Sequence, residues 1–349
     1  MKTDDLIKKS AKMPGVSLSR TDDSITLILK TREGNGSITF FPLFSSLMLA
    51  YISVSSPVWP APCLYPSDLH GTETEKSGKE NISDSISGRK GPLLLNYCVS
   101  GRCEIPLNTG SYVYVKGGDL SLTERFARGH YVYPGRNYQG LEFFIDTDSS
   151  ELSRCSWIEE EFGIDFRRLV GLYCPNGGTY ISGTSPETEA VLHKLWELRS
   201  APLPHALYQM KLYSLSLFSL LLNPQAPPSS RVCTFFTEAQ VTIAKRTEKI
   251  ITADLSQHYP ARELADRFGI SATSLKNYFR GVYGQNLSVY LKDLRMKKAA
   301  DLLVSTTQSV SEVAEQVGYL NQSKFAAVFK KHFGMSPLEY RKTERLRLL

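Results

Sequence analysis

The sequence predicts a multidomain α+β chain: an N-terminal β-barrel or sandwich, then a helical segment, then an all-α unit built from two helix-turn-helix copies. Three observations predict it. Up to about residue 148 the chain is a series of short β-branched and aromatic runs divided by turn residues. From Ser149 the apolar spacing becomes helical. Near the C-terminus a segment repeats itself 49 to 50 residues later. A length of 349 residues also exceeds one ordinary domain.

The first region, residues 1–148, carries SITLILKT, GPLLLNYCVSGRCEIPL, SYVYV, GHYVYP and GLEFFID. Each is short enough for a strand and is bounded by Gly, Pro, Asn or Asp, the pattern of an all-β sandwich or barrel. Residues 71–91 hold no large apolar side chain except two isoleucines and read as an exposed, flexible loop. Tyr97, Tyr112, Tyr114, Tyr131, Tyr133 and Phe143 are candidates to line an effector pocket; the alternative is that they are simple strand core. The six histidines are dispersed, without the H-x-H and Glu cluster a metal site needs. No metal or other cofactor is expected. The six cysteines show no CxxC pair and suggest neither a disulfide framework nor a zinc knuckle.

Residues 149–231 read as helices. SSELSRCSWIEEEF and SPETEAVLHKLWELRS open with serines and acids and continue with apolar residues at helical spacing. Leu203–Leu222 is a third helix with two apolar faces: Tyr208, Leu212, Leu215 and Leu222 on one, Leu207, Met210, Leu217 and Leu221 on the other. A helix apolar on two faces must be covered, and pairing with a second copy of the chain makes it the candidate dimerisation helix. NPQAPPSSR, residues 223–231, then reads as a linker.

The last region, residues 238–349, contains the repeat. LADRFG (264–269) matches VAEQVG (313–318), FRGVYG (279–284) matches FKKHFG (329–334), and Tyr290 matches Tyr340. The offset grows from 49 to 50, so the second copy has one extra residue between its helices. Each copy spells helix, tight turn, helix. Gly269 and Gly318 suit the positive φ of a sharp turn, and Ala265 and Ala314 four residues earlier let the helices approach closely. Ser271 and Asn321 are natural N-caps of the second helices. Ser309 with Glu312, and Ser336 with Glu339, spell capping boxes, the latter with Pro337 at the first helical position.

Charge divides unevenly. From Arg231 onward there are 19 Lys and Arg against 11 Asp and Glu, a net of +8, whereas the rest of the chain is −2. A basic excess confined to the region of two helix-turn-helix copies fits a polyanionic partner. The alternative is a helical bundle with no nucleic-acid role.

The segment SVSEVAEQVGYLNQSKFAAVFKKHFGMSPLEYRK resembles the signature of the AraC/XylS family of transcription regulators, and YLKDLRMKKAADLL is similar to that family's central connecting helix. The resemblance runs from about Glu238 to Lys342. It implies recognition helices over Ala272–Arg280 and Gln322–Lys331 that enter successive major grooves of double-stranded DNA. By that resemblance Ser271, Thr273, Ser274, Lys276 and Asn277 belong to one DNA-facing surface and Asn321, Gln322, Ser323 and Lys324 to the other. Gln and Asn can pair bidentately with adenine, and Lys can donate to guanine. Ala327 stands where some members carry Arg and can touch only a thymine methyl. Arg280, Lys330 and Lys331 are expected on phosphates, while Tyr278, Phe279, Phe325 and Phe329 have the spacing of helix core.

The resemblance extends to the β-rich region, where LLLNYCVSGRCEIPL and YVYVKGGDLSL are similar to a cupin-like sensor domain. It implies a small-molecule effector, a homodimer, contact with RNA polymerase and action as an activator. Met1–Lys12 is polar and no signal peptide or membrane span is read, so the expected compartment is the cytoplasm. No enzymatic activity is expected. The rival readings are an alkyl-DNA repair methyltransferase fused to the same DNA module, which lacks its PCHR-like segment here, and a purely structural module.

Overall fold

Three central strands organise the N-terminal half: β4 (Leu47–Val54), β6 (Leu93–Pro106) and β10 (Tyr138–Ile145). β10 lies between the other two and is antiparallel to both, so Phe143 stands opposite Leu49 on one side and Leu95 on the other. One residue along, Glu142 stands opposite Ala50 and Asn96. Because successive side chains alternate across a strand, these two rows face opposite sides of the sheet. Both sides are buried.

The computed structural model describes residues 14–32, 34–59, 93–107, 110–123, 131–145, 147, 155–201, 205–224 and 234–347. The segment 71–91, read above as a flexible loop, and most of the linker 223–231 lie outside them. From β4 the sheet extends through β3 (Gly34–Phe44) and β2 (Ile25–Thr31) to β1 (Val16–Arg20), and from β6 to β7 (Ser111–Lys116). β8 (Asp119–Thr123) also pairs with β6, and the two-residue strands β5 (Val58–Trp59) and β9 (Tyr131–Val132) pair with each other. The pairings of β1 with β2, β2 with β3, β3 with β4, β10 with β4 and with β6, β6 with β8, and β5 with β9 are antiparallel. Among the described residues the strand order is an open path with branches and not a closed ring.

One face of the sheet is covered by helices. They are α1 (Ser156–Phe162), α2 (Phe166–Tyr173), α3 (Pro186–Leu198) and α4 (His205–Leu222). Leu49, Leu95 and Phe143 share one apolar cluster with Ile158, Leu169, Leu195 and Phe218, and the Phe143 and Phe218 rings meet edge to face at 5.2 Å. Tyr51 Oη donates to the Leu195 carbonyl at 2.6 Å, tying α3 to β4. The other face closes on itself: Leu27, Phe40, Ile52, Trp59, Cys98, Val115, Tyr138 and Phe144 form a second cluster. Each fully buried side chain of this kind favours the fold by roughly 1.5–3 kcal/mol.

Two readings change here. The helical segment 149–231 is not a separate module: its helices and the sheet form one compact unit, because the apolar faces of the helices cover one apolar face of the sheet. That segment also contains a strand, β11 (Thr179–Gly183), which returns to pair with β8. Its Thr179–Gly183 run alternates only weakly and lies between helices, so periodicity does not single it out. The second change concerns α4. Its Met210, Leu215, Leu217, Phe218, Leu221 and Leu222 are buried in its own unit, and Ser214 is buried too, its hydroxyl donating to the Met210 carbonyl at 2.6 Å. Of the apolar residues read on its first face, Tyr208 and Leu212 remain 63% and 66% exposed.

The second compact unit, Gly110–Tyr112 with Phe236–Leu349, holds the first two residues of β7 and the short strand β12 (Phe236–Thr237), and its regular structure is otherwise helical. Its helices are α5 (Glu238–Ala253), α6 (Ala261–Asp266), α7 (Ala272–Tyr283), α8 (Leu287–Ser305), α9 (Val310–Gln316), α10 (Gln322–Phe333) and α11 (Pro337–Arg347). Helices α6–α7 and α9–α10 are the two helix-turn-helix copies, and α8 joins them. No helix among the described residues is long and apolar enough to cross a membrane.

Candidate nucleic-acid interface

The two copies are built alike from their side chains outward. In the first, Phe279, Tyr283 and Tyr290 form an aromatic triad with centroid separations of 4.5, 5.3 and 5.0 Å. In the second, Phe329, Phe333 and Tyr340 repeat it at 4.6, 5.4 and 5.0 Å. Phe279, Phe325 and Phe329 are fully buried, as their spacing predicts. Tyr278 is only half-buried, so it is not the core residue its position suggests.

Local chemistry starts each helix. Ser271 accepts from the Ser274 amide at 3.0 Å and Asn321 from the Lys324 amide at 2.8 Å, which satisfies otherwise unpaired donors at the first turns of α7 and α10. Ser309 and Glu312 form the expected capping box at α9, and Ser336 with Glu339 does so at α11. The backbone amides of Ser309 and Ser336 hold those two carboxyls below the usual carboxylate range. Gly269 and Gly318 take φ of +64° and +78° in the turns. After Gly318 the second turn runs through Tyr319 and Leu320 before the cap, one residue more than the first, and the additional side chain, Leu320, is fully exposed.

These frames leave polar faces outward. On α7, Thr273, Lys276, Asn277 and Arg280 are exposed, at the i, i+3, i+4, i+7 spacing of a single helix face, with Ser271 exposed at the cap and Ser274 half-buried. On α10 and its cap, Asn321, Gln322, Ser323, Lys324, Ala327, Lys330 and Lys331 are all exposed. Helix α8 spans 19 residues, or about 28 Å at ~1.5 Å per residue, close to one turn of duplex DNA (~34 Å). Beside α7, Lys276 also lines a groove of about 450 Å³ with His258, Lys292 and Arg295. Lys292 and His258 were not singled out by sequence, since isolated basic residues in a basic region carry no positional signal.

The six aromatics read as one effector pocket are not brought together. Tyr97 and Phe143 are packed in the helix-facing cluster, whereas Tyr133 lies in the other, stacked on Tyr138 at 4.7 Å. Tyr114 is buried and donates to Glu104 at 2.7 Å, Tyr112 groups with the C-terminal unit, and Tyr131 opens β9. The strand pleat sends alternate residues to opposite faces, which separates aromatics that are near in sequence. The second cluster holds buried polar groups instead. Asn96 Nδ2 donates to Glu142 Oε1 at 2.9 Å, and Tyr138 Oη donates to Asn96 Oδ1 at 2.8 Å. Burial pushes the Glu142 carboxyl up to about 8. Cys98, Cys103, Cys155 and Cys174 are buried.

Residues 264–343 match the family model described as a helix-turn-helix domain. Over 104 residues the chain is 33% identical to the transcriptional regulator SirC of Salmonella typhimurium, covering 30% of this chain and 35% of that protein. Over 95 residues it is 30% identical to the HTH-type transcriptional activator CfaD of Escherichia coli, covering 27% of this chain and 36% of that one. The matches therefore span about a third of these relatives' length. Among solved structures, the C-terminal domain of AraT, a response regulator from Geobacillus stearothermophilus, is 35% identical, covering 29% of this chain and 84% of that one at a TM-score of 0.28.

Proposed function

We propose, on the premise that residues 264–343 are a helix-turn-helix domain of the AraC type, that the protein is a sequence-specific DNA-binding transcription regulator that acts as an activator. The observation that carries this reading is the pair of capped helices, α7 and α10, each presenting an exposed polar and basic face from the same aromatic frame. Lys276, Asn277 and Gln322 are assigned to base edges in successive major grooves. Arg280, Lys330 and Lys331 are assigned to phosphates, which position the module without reading sequence. The activator role follows the relatives' names and needs contact with RNA polymerase.

Control is assigned to the N-terminal unit as a cupin-like domain that takes a small-molecule effector. The polar groups on the self-closed face of its sheet support that reading better than the dispersed aromatics do. A homodimer through α4 is assigned to Tyr208 and Leu212, four residues apart and exposed, since a symmetric pair would cover both at once. Action in the cytoplasm completes the reading.

Selection of duplexes from a random pool by the full chain, followed by anisotropy titration over a range of salt, tests the DNA assignment. Enrichment of a two-part site and an affinity that falls steeply with salt are expected, because each neutralised phosphate releases counterions. Absence of any enriched sequence would refute it. Sedimentation of the full chain beside Tyr208→Glu and Leu212→Glu tests the dimer. A wild type that stays monomeric at high micromolar concentration would refute that part.

A further inference from the structure

The turn glycines of the two copies occupy equivalent places in the repeat but not equivalent surroundings. A Cβ built on Gly269 meets nothing within 4 Å. A Cβ on Gly318 would lie 2.7 Å from Arg295 Nη2, 2.7 Å from the Ser256 carbonyl oxygen and 2.8 Å from that of Leu255. Leu255 and Ser256 belong to the loop between α5 and α6, at the entry to the first copy. Arg295 is on α8. Gly318 is in the turn of the second copy. Three segments that belong to different parts of the module therefore meet at one point.

Arg295 holds that point together. Its Nε donates to the Leu255 carbonyl at 2.9 Å and its Nη2 to the Gln257 carbonyl at 2.7 Å, so the planar fork is used on two adjacent acceptors. Its guanidinium also lies over the Tyr319 ring at 5.9 Å. Fifty residues on, Arg345 of α11 makes the matching clamp at the entry to the second copy, with Nε donating to the Val304 carbonyl at 3.1 Å and Nη2 to that of Thr306. The arginine clamp is thus part of the repeat itself. What the first clamp adds is the turn of the other copy packed against it.

We infer that Arg295, the 255–257 carbonyls and the Gly318–Tyr319 turn form a joint that fixes the two recognition helices at one separation and angle. Arg295 is a positioning residue: it acts on DNA through where α7 and α10 are held. This rests on the DNA-binding reading for its consequence, though not for its geometry. A module so joined engages two half-sites as a rigid bivalent ligand, and the second contact is favoured only when the spacing fits. Without the joint, α8 alone sets the distance and the turn of the second copy is free to shift.

The first measurement needs no DNA. Hydrogen exchange on the full-length protein is compared with Arg295→Gln. The joint predicts faster exchange both in residues 254–257 and in residues 318–320, the segment of the other copy. Acceleration confined to 254–257 would show a clamp within one copy and overturn the inference. The second measurement uses duplexes selected by the wild type, with one base pair inserted or removed between the half-sites. The wild type should lose about tenfold or more in affinity on respacing, and Arg295→Gln about threefold or less, each relative to its own affinity on the selected spacing. Identical spacing profiles would overturn the joint, whereas a wild type that selects no sequence would overturn the DNA reading and leave the exchange result to decide the joint. Gly318→Ala and Gly269→Ala serve as a pair if Arg295→Gln fails to fold. Both carry the same left-handed strain, but only Gly318→Ala meets the joint, so only it should flatten the spacing preference. Equal profiles for the two would refute the proposal.

Discussion

Replacing Glu142 by Gln should change how the stability of the N-terminal unit depends on pH. Glu142 is 2% exposed, in the middle of β10, with the Asn96 amide as its hydrogen-bond donor. Burial raises its carboxyl from 4.5 to about 8, with the Asn96 bond opposing. A carboxyl whose folded value is raised contributes fully below its unfolded value, and that contribution is lost as pH rises through the folded one. Below about pH 4.5 both states are protonated and there is no penalty. Between about 4.5 and 8 the unfolded chain releases a proton that the folded one retains, so stability falls by about 1.4 kcal/mol per pH unit. The fall amounts to roughly 5 kcal/mol and levels off above pH 8. Nearby Cys98, Cys103 and Tyr138 are pushed upward by burial, out of this window. Gln keeps the shape and an acceptor for Asn96 but has nothing to ionise. All three tryptophans, Trp59, Trp157 and Trp196, lie in this unit, so urea unfolding followed by tryptophan fluorescence reports on it alone. The difference in stability, variant minus wild type, should rise from pH 5 to pH 8. A difference that stays constant over that range would refute the reasoning.

Three further outcomes follow from the C-terminal unit. Gln322→Ala should relax preference at particular bases, costing about 1–3 kcal/mol of discrimination, while Lys331→Ala should weaken all sequences alike and lower the salt slope by about one. Site selection by each variant separates the two, and an unchanged base profile for Gln322→Ala would remove its role in readout. Gly281→Ala places a Cβ 2.0 Å from the Phe236 ring, so overpacking of about 1–3 kcal/mol should outweigh the ~1 kcal/mol gain in helix propensity. In a Phe236→Ala background the same change should stabilise, and a double-mutant cycle showing equal cost in both backgrounds would disprove the contact. Asn321→Ala removes the acceptor for the Lys324 amide and should fray the first turn of α10 by about 1 kcal/mol, with Asn321→Asp preserving it. Amide exchange at residues 322–325 reads this directly.

What the sequence by itself determined is what depends on neighbours within a few turns of chain. The caps at Ser271, Ser309, Asn321 and Ser336 form as their spacing predicts, because a cap is a bond between residues three apart. The outward faces of α7 and α10 follow from helical periodicity around Phe279, Phe325 and Phe329. The change of offset between the copies was legible too, and it appears as the single exposed Leu320.

Only the tertiary structure decided which of several buried surfaces meet. On β6 and β10 both faces are apolar enough for core, so no alternation told Tyr97 of β6 and Phe143 of β10 from Tyr133, just after β9, as occupants of different clusters. The cover of α4 is set by residues far away in the chain, such as Phe143 and Phe166 around Phe218, and that left Tyr208 and Leu212 as its exposed apolar pair. Gly318 read as a turn glycine like Gly269, and only the approach of Arg295 and the 255–256 carbonyls distinguishes it. Local propensity and capping are encoded in short windows of sequence. Long-range packing depends on which apolar faces fit together in space, and a one-dimensional pattern records that a residue must be buried without recording against what.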